Sequence, residues 1–411
     1  MNKLHKSINL IIESYHPLHF IASMGVGITS GIMYNFPIKS IEKGMKFVGI
    51  IYFFINLVIL VINHSLFICK YNKMEKIWKI LHEPHLTIYF GASSMSFTTM
   101  INMLFFLKPN WKTAIFTLWW INFFQAICCI FFITFFLLSY PTNIYQKKHL
   151  EEGFFEHNKL REKNEFLSKV TPAYLLPLVT TTVTSASGAL ISSIIDDEKY
   201  LLSMIIVTFM LFGVAITSSI VFIPIIFTKI LTFGLPKFNN SFTMFVPIGI
   251  MGQGGFSILL NSINLIRYLK LSNIVNNETQ LIIIDKIIKI QGLGISILFL
   301  SFGILLTIWG ILTIGYWYIG WPNSYHNNKK KYNKVRYWTP TMWAATFPFG
   351  TISLSSLEIY KITSIRGFQI LSTIYGFTVI IITTWCMIGT LVYVIPWKGI
   401  YRVFKNEDET K

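Results

Sequence analysis

Charged residues are scarce in this chain of 411 residues, of which only 13% are Asp, Glu, Lys or Arg and 53% are hydrophobic. The mean hydropathy is +0.56. A soluble domain cannot bury so much apolar surface, whereas a lipid bilayer accommodates it. The composition therefore excludes an ordinary soluble protein and predicts an all-α integral membrane protein whose first partner is the bilayer itself.

Catalytic and metal-binding motifs are also missing. The sequence has no Gly-x4-Gly-Lys-Ser/Thr loop, no His-x-x-Glu-His cluster, no Gly-x-Ser-x-Gly elbow and no pair of intramembrane Asp residues. The four cysteines lie in or beside apolar stretches without metal-ligand spacing, and we expect free thiols: Cys69, Cys128, Cys129 and Cys386. We expect no enzyme, no metal site and no cofactor.

Acidic residues are the scarcer of the two charge types, with 18 Asp and Glu against 35 Lys and Arg. The basic residues lie between apolar stretches and form no single patch, which argues against nucleic acid as a partner. About two thirds of them fall on the side that holds both chain ends, and this bias predicts cytoplasmic termini. The sequon at Asn277 then lies outside the cell as a predicted glycosylation site. No removable signal peptide is recognisable at the start.

What the chain does have is a repeated pattern of proline followed by small residues. Five stretches open with proline and continue into Gly, Ser and Thr: 16–31, 83–99, 171–188, 246–257 and 339–356. Ordinary aliphatic stretches separate them. We expect the prolines to bend their helices and to leave backbone groups that need partners. The alternation predicts five helical hairpins, each with one small-residue helix and one oily helix.

Windows of about 20 apolar residues predict ten membrane helices. Their ranges are 16–34, 46–69, 85–107, 113–140, 170–194, 200–231, 242–268, 289–319, 338–357 and 367–395. They form one transmembrane domain over residues 1–411. Residues 1–15, 141–169 and 396–411 are predicted as cytoplasmic N-terminus, loop and tail.

The five small-residue helices predict a central pore. For any one helix, small residues are explained as well by close helix packing, but five in register favour a shared pathway. The predicted pore-lining residues are Gly25, Gly27, Ser30, Ser94, Thr181, Ser185, Gly252, Gln253, Gly254, Thr346 and Gly350. Hydroxyls and amides without inward carboxylates favour a small anion over a cation. An inside-negative membrane potential would drive such an anion outward.

The chain resembles the tellurite-resistance/dicarboxylate transporter family, and within it the fungal sulfite efflux pumps. The segments that carry the resemblance are Met24–Ser30, Tyr34–Pro37, Gly249–Phe256 (GIMGQGGF), Thr346–Thr351 (TFPFGT) and Glu358 with Tyr360. The resemblance implies five hairpins around a pseudo-five-fold pore, a homotrimer with one pore in each subunit, and Phe347 as the gate. It also implies export of sulfite or bisulfite across the plasma membrane.

Two other functions stay open at this point. A C4-dicarboxylate permease, for example for malate, shares the fold, and the Thr- and Ser-rich fifth helix departs from the Gly-Gly block of the sulfite exporters. A receptor or scaffold without transport activity is the third option. Ten predicted spans and a polar stripe in every second helix argue against it.

Overall fold

The structure is a computed structural model that describes residues 3–140, 167–168, 170–275, 277–319 and 338–395. Within these ranges every regular element is helical. The predicted tail 396–411, and all of the predicted loop 141–169 except residues 167–168, lie outside the described residues.

Twelve helices of eight or more residues occur in the described ranges and are numbered here in chain order. They are α1 (Lys3–Ser14), α2 (Phe20–Tyr34), α3 (Glu42–Lys70), α4 (Met74–Leu81), α5 (Phe90–Leu107), α6 (Lys112–Cys128), α7 (Leu176–Ser192), α8 (Glu198–Phe233), α9 (Val246–Leu271), α10 (Glu278–Ile319), α11 (Trp343–Thr363) and α12 (Arg366–Tyr393). Helix α6 continues through a π-helical turn, Cys129–Ile133, as far as Tyr140.

Eight helical segments of the described chain are long and apolar enough to cross a membrane. They contain α3, α5, α6, α7, α8, α9, α10 and α12. Helices α2 and α11 cover the other two predicted ranges but are not among those eight. Because α2 has only 15 residues, its length alone does not identify it as a membrane span.

The opening prolines occupy the first turns of their helices and do not bend the helix interiors, so the predicted kinks are wrong at these positions. Pro17, Pro84, Pro172 and Pro340 each start a short helical turn ahead of a longer helix. The first turn is where a missing backbone N–H costs least and the fixed φ of proline suits the helix. Helix α11 is different, because Pro348 lies inside it.

Five helices form a closed ring, which we call the inner ring. Helix α2 packs on α5, α5 on α7, α7 on α9, α9 on α11, and α11 back on α2. Each has an outer helix directly after it in the chain: α3, α6, α8, α10 and α12 pack on α2, α5, α7, α9 and α11 in that order. The inner ring is therefore surrounded by a second layer.

Polar side chains connect the two layers. The Asn56 Oδ1 atom on α3 accepts a hydrogen bond of 2.7 Å from Ser23 Oγ on α2. Thr208 Oγ1 on α8 donates to Asn261 Oδ1 on α9 over 2.7 Å. In a hydrocarbon environment every polar group needs such a partner, because no water is there to supply one. These bonds let Ser, Thr and Asn lie inside the helix bundle.

The predicted cytoplasmic N-terminus, residues 1–15, contains helix α1. The Lys70 ammonium at the end of α3 donates hydrogen bonds to the carbonyl oxygens of Glu13, over 2.8 Å, and Tyr15, over 2.6 Å. A lysine at this position stabilises the carbonyl groups that the end of a helix leaves without intrahelical partners. The N-terminal helix is thus anchored to the outer helix α3.

Candidate functional site

Two cavities lie on the axis of the inner ring, since all five of its helices contribute residues to each. The first, which we call the collar, has a volume of about 10 Å³. Only apolar side chains line it: Ile21, Met24, Met95, Leu176, Val179, Val246, Ala344, Phe347 and Pro348. A cavity of this size holds at most about one water molecule, so the ring is closed at the collar.

The second cavity, the chamber, has a volume of about 40 Å³. Its lining comes from later turns of the same helices: Gly27, Ile28, Gly31, Thr99, Asn102, Phe106, Val183, Leu190, Gln253, Phe256, Phe347 and Leu354. It offers room for roughly three water molecules. Three of the lining residues are polar, so the chamber differs in chemistry from the collar.

Phe347 lines both cavities and therefore lies between them. Its side chain is only 1% exposed. A Cβ atom added at Gly249 of α9 would lie 3.9 Å from the aromatic ring of Phe347. The α9 backbone at Gly249 is therefore not in steric conflict with the Phe347 side chain. A hydrophobic constriction of this kind blocks ions by excluding the water that would hydrate them.

Neither cavity is lined by a charged side chain. The acidic residues that the sequence places near helix ends are engaged elsewhere. Asp196 forms ion pairs with Lys112 and Arg267 in the loop after α7. The Lys112 hydrogen bond and charge hold the pKa of the Asp196 carboxyl below its usual range. Glu358 pairs with Lys361 over 2.9 Å.

Of the predicted pore residues, the structure brings Gly27, Gln253 and Phe347 together at the chamber. Other predicted positions contact neighbouring helices instead. Ser30 Oγ donates to the Gly49 carbonyl on α3 over 2.9 Å, and Ser94 Oγ donates to Asn122 Oδ1 on α6 over 2.9 Å. Both serines point to the outer layer, because a hydroxyl in a bilayer needs a partner.

Ser185 and Thr181 also lie away from the two cavities. Ser185 Oγ contacts the Thr208 carbonyl at 2.6 Å and Ser257 Oγ at 2.7 Å, between α7, α8 and α9. Thr181 Oγ1 donates to the Leu178 carbonyl of its own helix over 2.8 Å. Their hydroxyls therefore serve packing within the bundle.

The remaining predicted residues allow close helix contact. A Cβ atom at Gly25 would collide with Thr346, one at Gly252 with Thr351, and one at Gly350 with Ile28. Gly254 faces outer-layer side chains, with Ile216 nearest. For Gly25, Gly252 and Gly350, the contacts are those of close helix packing, the alternative that the sequence left open.

Sequence reasoning missed the apolar collar and did not predict two polar chamber residues, Thr99 and Asn102, as pore-lining. The signal that identifies them is spacing: Thr99, Asn102 and Phe106 follow i, i+3 and i+7 on α5, which is one face of a helix. The predicted glycosylation site remains a prediction. Asn277 is exposed, and its Oδ1 atom caps α10 by accepting from Thr279 N over 3.0 Å.

No group of three or more His, Cys, Asp or Glu residues in the described part of the chain is placed to hold a metal ion. The four cysteines are free thiols, two exposed and two buried. The chemistry available at the ring axis is therefore that of hydroxyls, carboxamides and apolar side chains.

Comparison with known proteins assigns the chain that forms this ring to a family. The model of the SLAC1 family, described as voltage-dependent anion channel, matches residues 14–391. The chain belongs to this family. It is accordingly a multi-pass membrane protein of a family of anion channels and transporters, and the resemblance predicted from the sequence is confirmed.

Three relatives that are similar in sequence to this chain are named sulfite efflux pump SSU1. The Candida albicans protein is 26% identical over 395 residues, 93% of this chain and 75% of the relative. The Arthroderma otae protein is 25% identical over 96% of this chain and 94% of its own length. The Saccharomyces cerevisiae protein is 24% identical over 93% and 88%. These names describe transport, in agreement with the expectation that the chain is not an enzyme.

Proposed function

We propose that this protein exports sulfite or bisulfite across the plasma membrane through the axis of the inner ring. One observation carries the proposal: a chamber without charged residues lies on that axis, lined by all five inner helices and separated from the collar by Phe347. Neutral donors hold a small anion without the tight binding that a buried Arg would cause.

In this proposal the chain crosses the membrane ten times, as five hairpins, with α2 and α11 completing the ring. Both termini lie in the cytoplasm, and the collar faces the cytoplasmic side. Three copies assemble into a trimer, each with its own pathway. The closure of the contacts from α11 back to α2 supports the hairpin arrangement.

Phe347 acts as the gate in this proposal, because its side chain lines both the collar and the chamber. Export needs no further energy source, since about 2.3 kcal/mol is available for each charge that moves through 100 mV. An inside-negative potential therefore drives a small anion outward once the Phe347 ring moves aside.

Sulfite is proposed on two grounds. The relatives named sulfite efflux pump match more than nine tenths of this chain. The chamber of about 40 Å³ suits an anion of few heavy atoms and leaves little room for a four-carbon dicarboxylate. Both grounds favour the small inorganic anion over malate.

The experiment is anion flux into liposomes that contain the purified protein, with the voltage set by a potassium gradient. We expect sulfite flux that follows the imposed potential and exceeds that of protein-free liposomes. Malate flux without sulfite flux would establish the dicarboxylate alternative. Absence of both, with well-folded protein, would contradict transport and favour the scaffold alternative. Sulfite tolerance of cells with and without the gene tests the same proposal in the cell.

A further inference from the structure

The chamber is lined by two carboxamide groups whose hydrogen-bonding capacity the described residues use only in part. Gln253 on α9 is only 5% exposed and lines the chamber. Its amide forms no hydrogen bond with any group in the described part of the chain. A buried polar group without a protein partner costs free energy unless water or a ligand satisfies it.

Asn102 on α5 supplies the second amide. Its Oδ1 atom accepts a hydrogen bond of 2.6 Å from Ser187 Oγ, which fixes the orientation of the group. The NH2 end of Asn102 is therefore left as a donor, with no acceptor for it among the described residues. Asn102 lines the same chamber as Gln253.

The two amides come from different sides of the ring. Helices α5 and α9 are not neighbours in it, because α7 lies between them on one side and α2 and α11 on the other. Amide groups on both helices therefore converge on one small volume. A ligand in the chamber would therefore be contacted by amide groups from two helices and not from one helix alone.

The polar groups of the chamber include the amide N–H donors of Gln253 and Asn102, for which the described residues supply no acceptor. Thr99 Oγ1 already donates its hydrogen to the Ser96 carbonyl over 2.7 Å, and neither a carboxylate nor a cation lines the cavity. A ligand that accepts hydrogen bonds and fits a volume of about 40 Å³ can use these N–H donors. A small oxyanion with several acceptor oxygens has these properties.

We infer that the carboxamides of Gln253 and Asn102 form an anion subsite in the chamber, and that this subsite selects for anions that are strong hydrogen-bond acceptors. It rests on the proposed function, because it assigns selectivity to the same pathway. Sulfite gains hydrogen bonds there that replace those it loses on leaving water, whereas a weak acceptor such as thiocyanate gains little.

The test compares sulfite flux with thiocyanate flux in the same liposomes at a fixed voltage. Gln253→Met keeps the length of the side chain and removes its donors. Asn102→Asp keeps the acceptor for Ser187 and replaces the donor by a negative charge. Thr182→Val is the control, because the Thr182 hydroxyl bonds to carbonyl groups of its own helix and lines neither cavity.

We expect the ratio of sulfite to thiocyanate flux to fall about tenfold in Gln253→Met, the effect of losing one hydrogen bond to a charged group. The ratio should fall further in Asn102→Asp, since the new carboxylate repels the doubly charged sulfite ion more strongly than singly charged thiocyanate. It should stay unchanged in Thr182→Val. An unchanged ratio in either amide variant, with normal thermal unfolding, would overturn the subsite. Wild-type protein that moves neither anion would instead overturn the proposed function on which the subsite depends.

Discussion

The inner and outer helices differ in a way that reverses the rule for soluble proteins. The α7 and α9 segments have buried shares of 94% and hydropathy of 1.4 and 1.5, whereas α3 and α8 have buried shares of 28% and hydropathy of 2.4. The most deeply buried helices are thus the less apolar ones. Lipid accepts only apolar side chains, while a protein interior satisfies hydroxyls and amides with hydrogen bonds.

This difference indicates that functional residues of such a chain lie on the inner helices. An outer helix needs only to be oily on its exposed face, so its sequence says little. An inner helix must combine close contact, satisfied polar groups and a face toward the axis. The substitutions below therefore act differently in the two layers.

The largest expected effect comes from adding volume where inner helices touch. Gly252→Val places atoms against the Thr351 backbone of α11, which cannot yield as a flexible side chain does. We expect destabilisation of about 3 kcal/mol or more, seen as loss of monodisperse protein in detergent. Gly213→Val on α8 is the control, because a Cβ atom there meets nothing within 4 Å. Equal behaviour of the two variants would contradict the difference between the layers.

Removing the ring that separates the two cavities should change flux more than stability. Phe347→Ala joins the collar to the chamber, and we expect anion flux to rise about tenfold, equivalent to a barrier lowered by roughly 1.4 kcal/mol. Phe349→Ala is the control on the same helix. Its ring packs outward against Phe245 and Tyr375, with centroids 4.7 and 5.7 Å apart. A folded Phe347→Ala protein with wild-type flux would refute the gate.

Breaking one hydrogen-bonded connection between the layers should have a moderate effect. Asn122 on α6 accepts from Ser94 over 2.9 Å and donates to Thr98 over 2.7 Å and to Thr184 over 3.2 Å. We expect Asn122→Leu to cost about 1–2 kcal/mol in thermal unfolding, because three hydroxyls change partners.

The control for Asn122 is Phe124→Leu on the same helix, whose side chain is 64% exposed to the surroundings. This substitution should leave the midpoint of unfolding nearly unchanged, because lipid solvates both side chains. If Asn122→Leu also leaves the midpoint of unfolding unchanged, polar connections do not stabilise the contact between the layers.

The smallest effect is expected outside the membrane, at the exposed pair of Asp196 and Lys112. The hydrogen bond and charge of Lys112 lower the pKa of Asp196 in the folded protein. The carboxyl therefore adds stability above its unfolded pKa of about 3.9 and loses that contribution as the pH falls through the lower folded pKa. Melting curves of wild type and Asp196→Asn should differ slightly at neutral pH and converge in acid. A difference that grows in acid would contradict this.

The helix ranges were largely predictable, because hydropathy and length report them directly. The range 113–140 matches Lys112–Tyr140, and 200–231 matches Glu198–Phe233. The start of α10 was predicted wrongly at residue 289, since the helix begins at Glu278. Asp285 pairs with Lys289 and Lys270 there, so a charged turn continues the helix beyond its apolar part.

The site was less predictable than the helices. Composition identified the five inner helices, but small and hydroxyl residues occur on every face of them. Ser30 and Ser94 bond to outer helices, and Gly25 touches Thr346. Residues that face the axis are distinguished from residues that contact neighbouring helices only by their spacing on each helix, together with the order in which the helices pack. Asn102 was identified as a chamber residue only from the packing of the helices, because a single asparagine in the sequence carries no signal of its own.

The most direct test of the central claim, that anions cross through the inner ring, is block by a thiol reagent at the chamber. Gly31 lines the chamber, and a Cβ atom there meets only the Met103 sulfur at 4.0 Å, so Gly31→Cys fits. In a Phe347→Ala protein with its native cysteines replaced by alanine, a negatively charged methanethiosulfonate should abolish sulfite flux through Gly31→Cys and leave Gly213→Cys unaffected. Complete labelling of Gly31→Cys with undiminished flux would contradict a pathway through the ring.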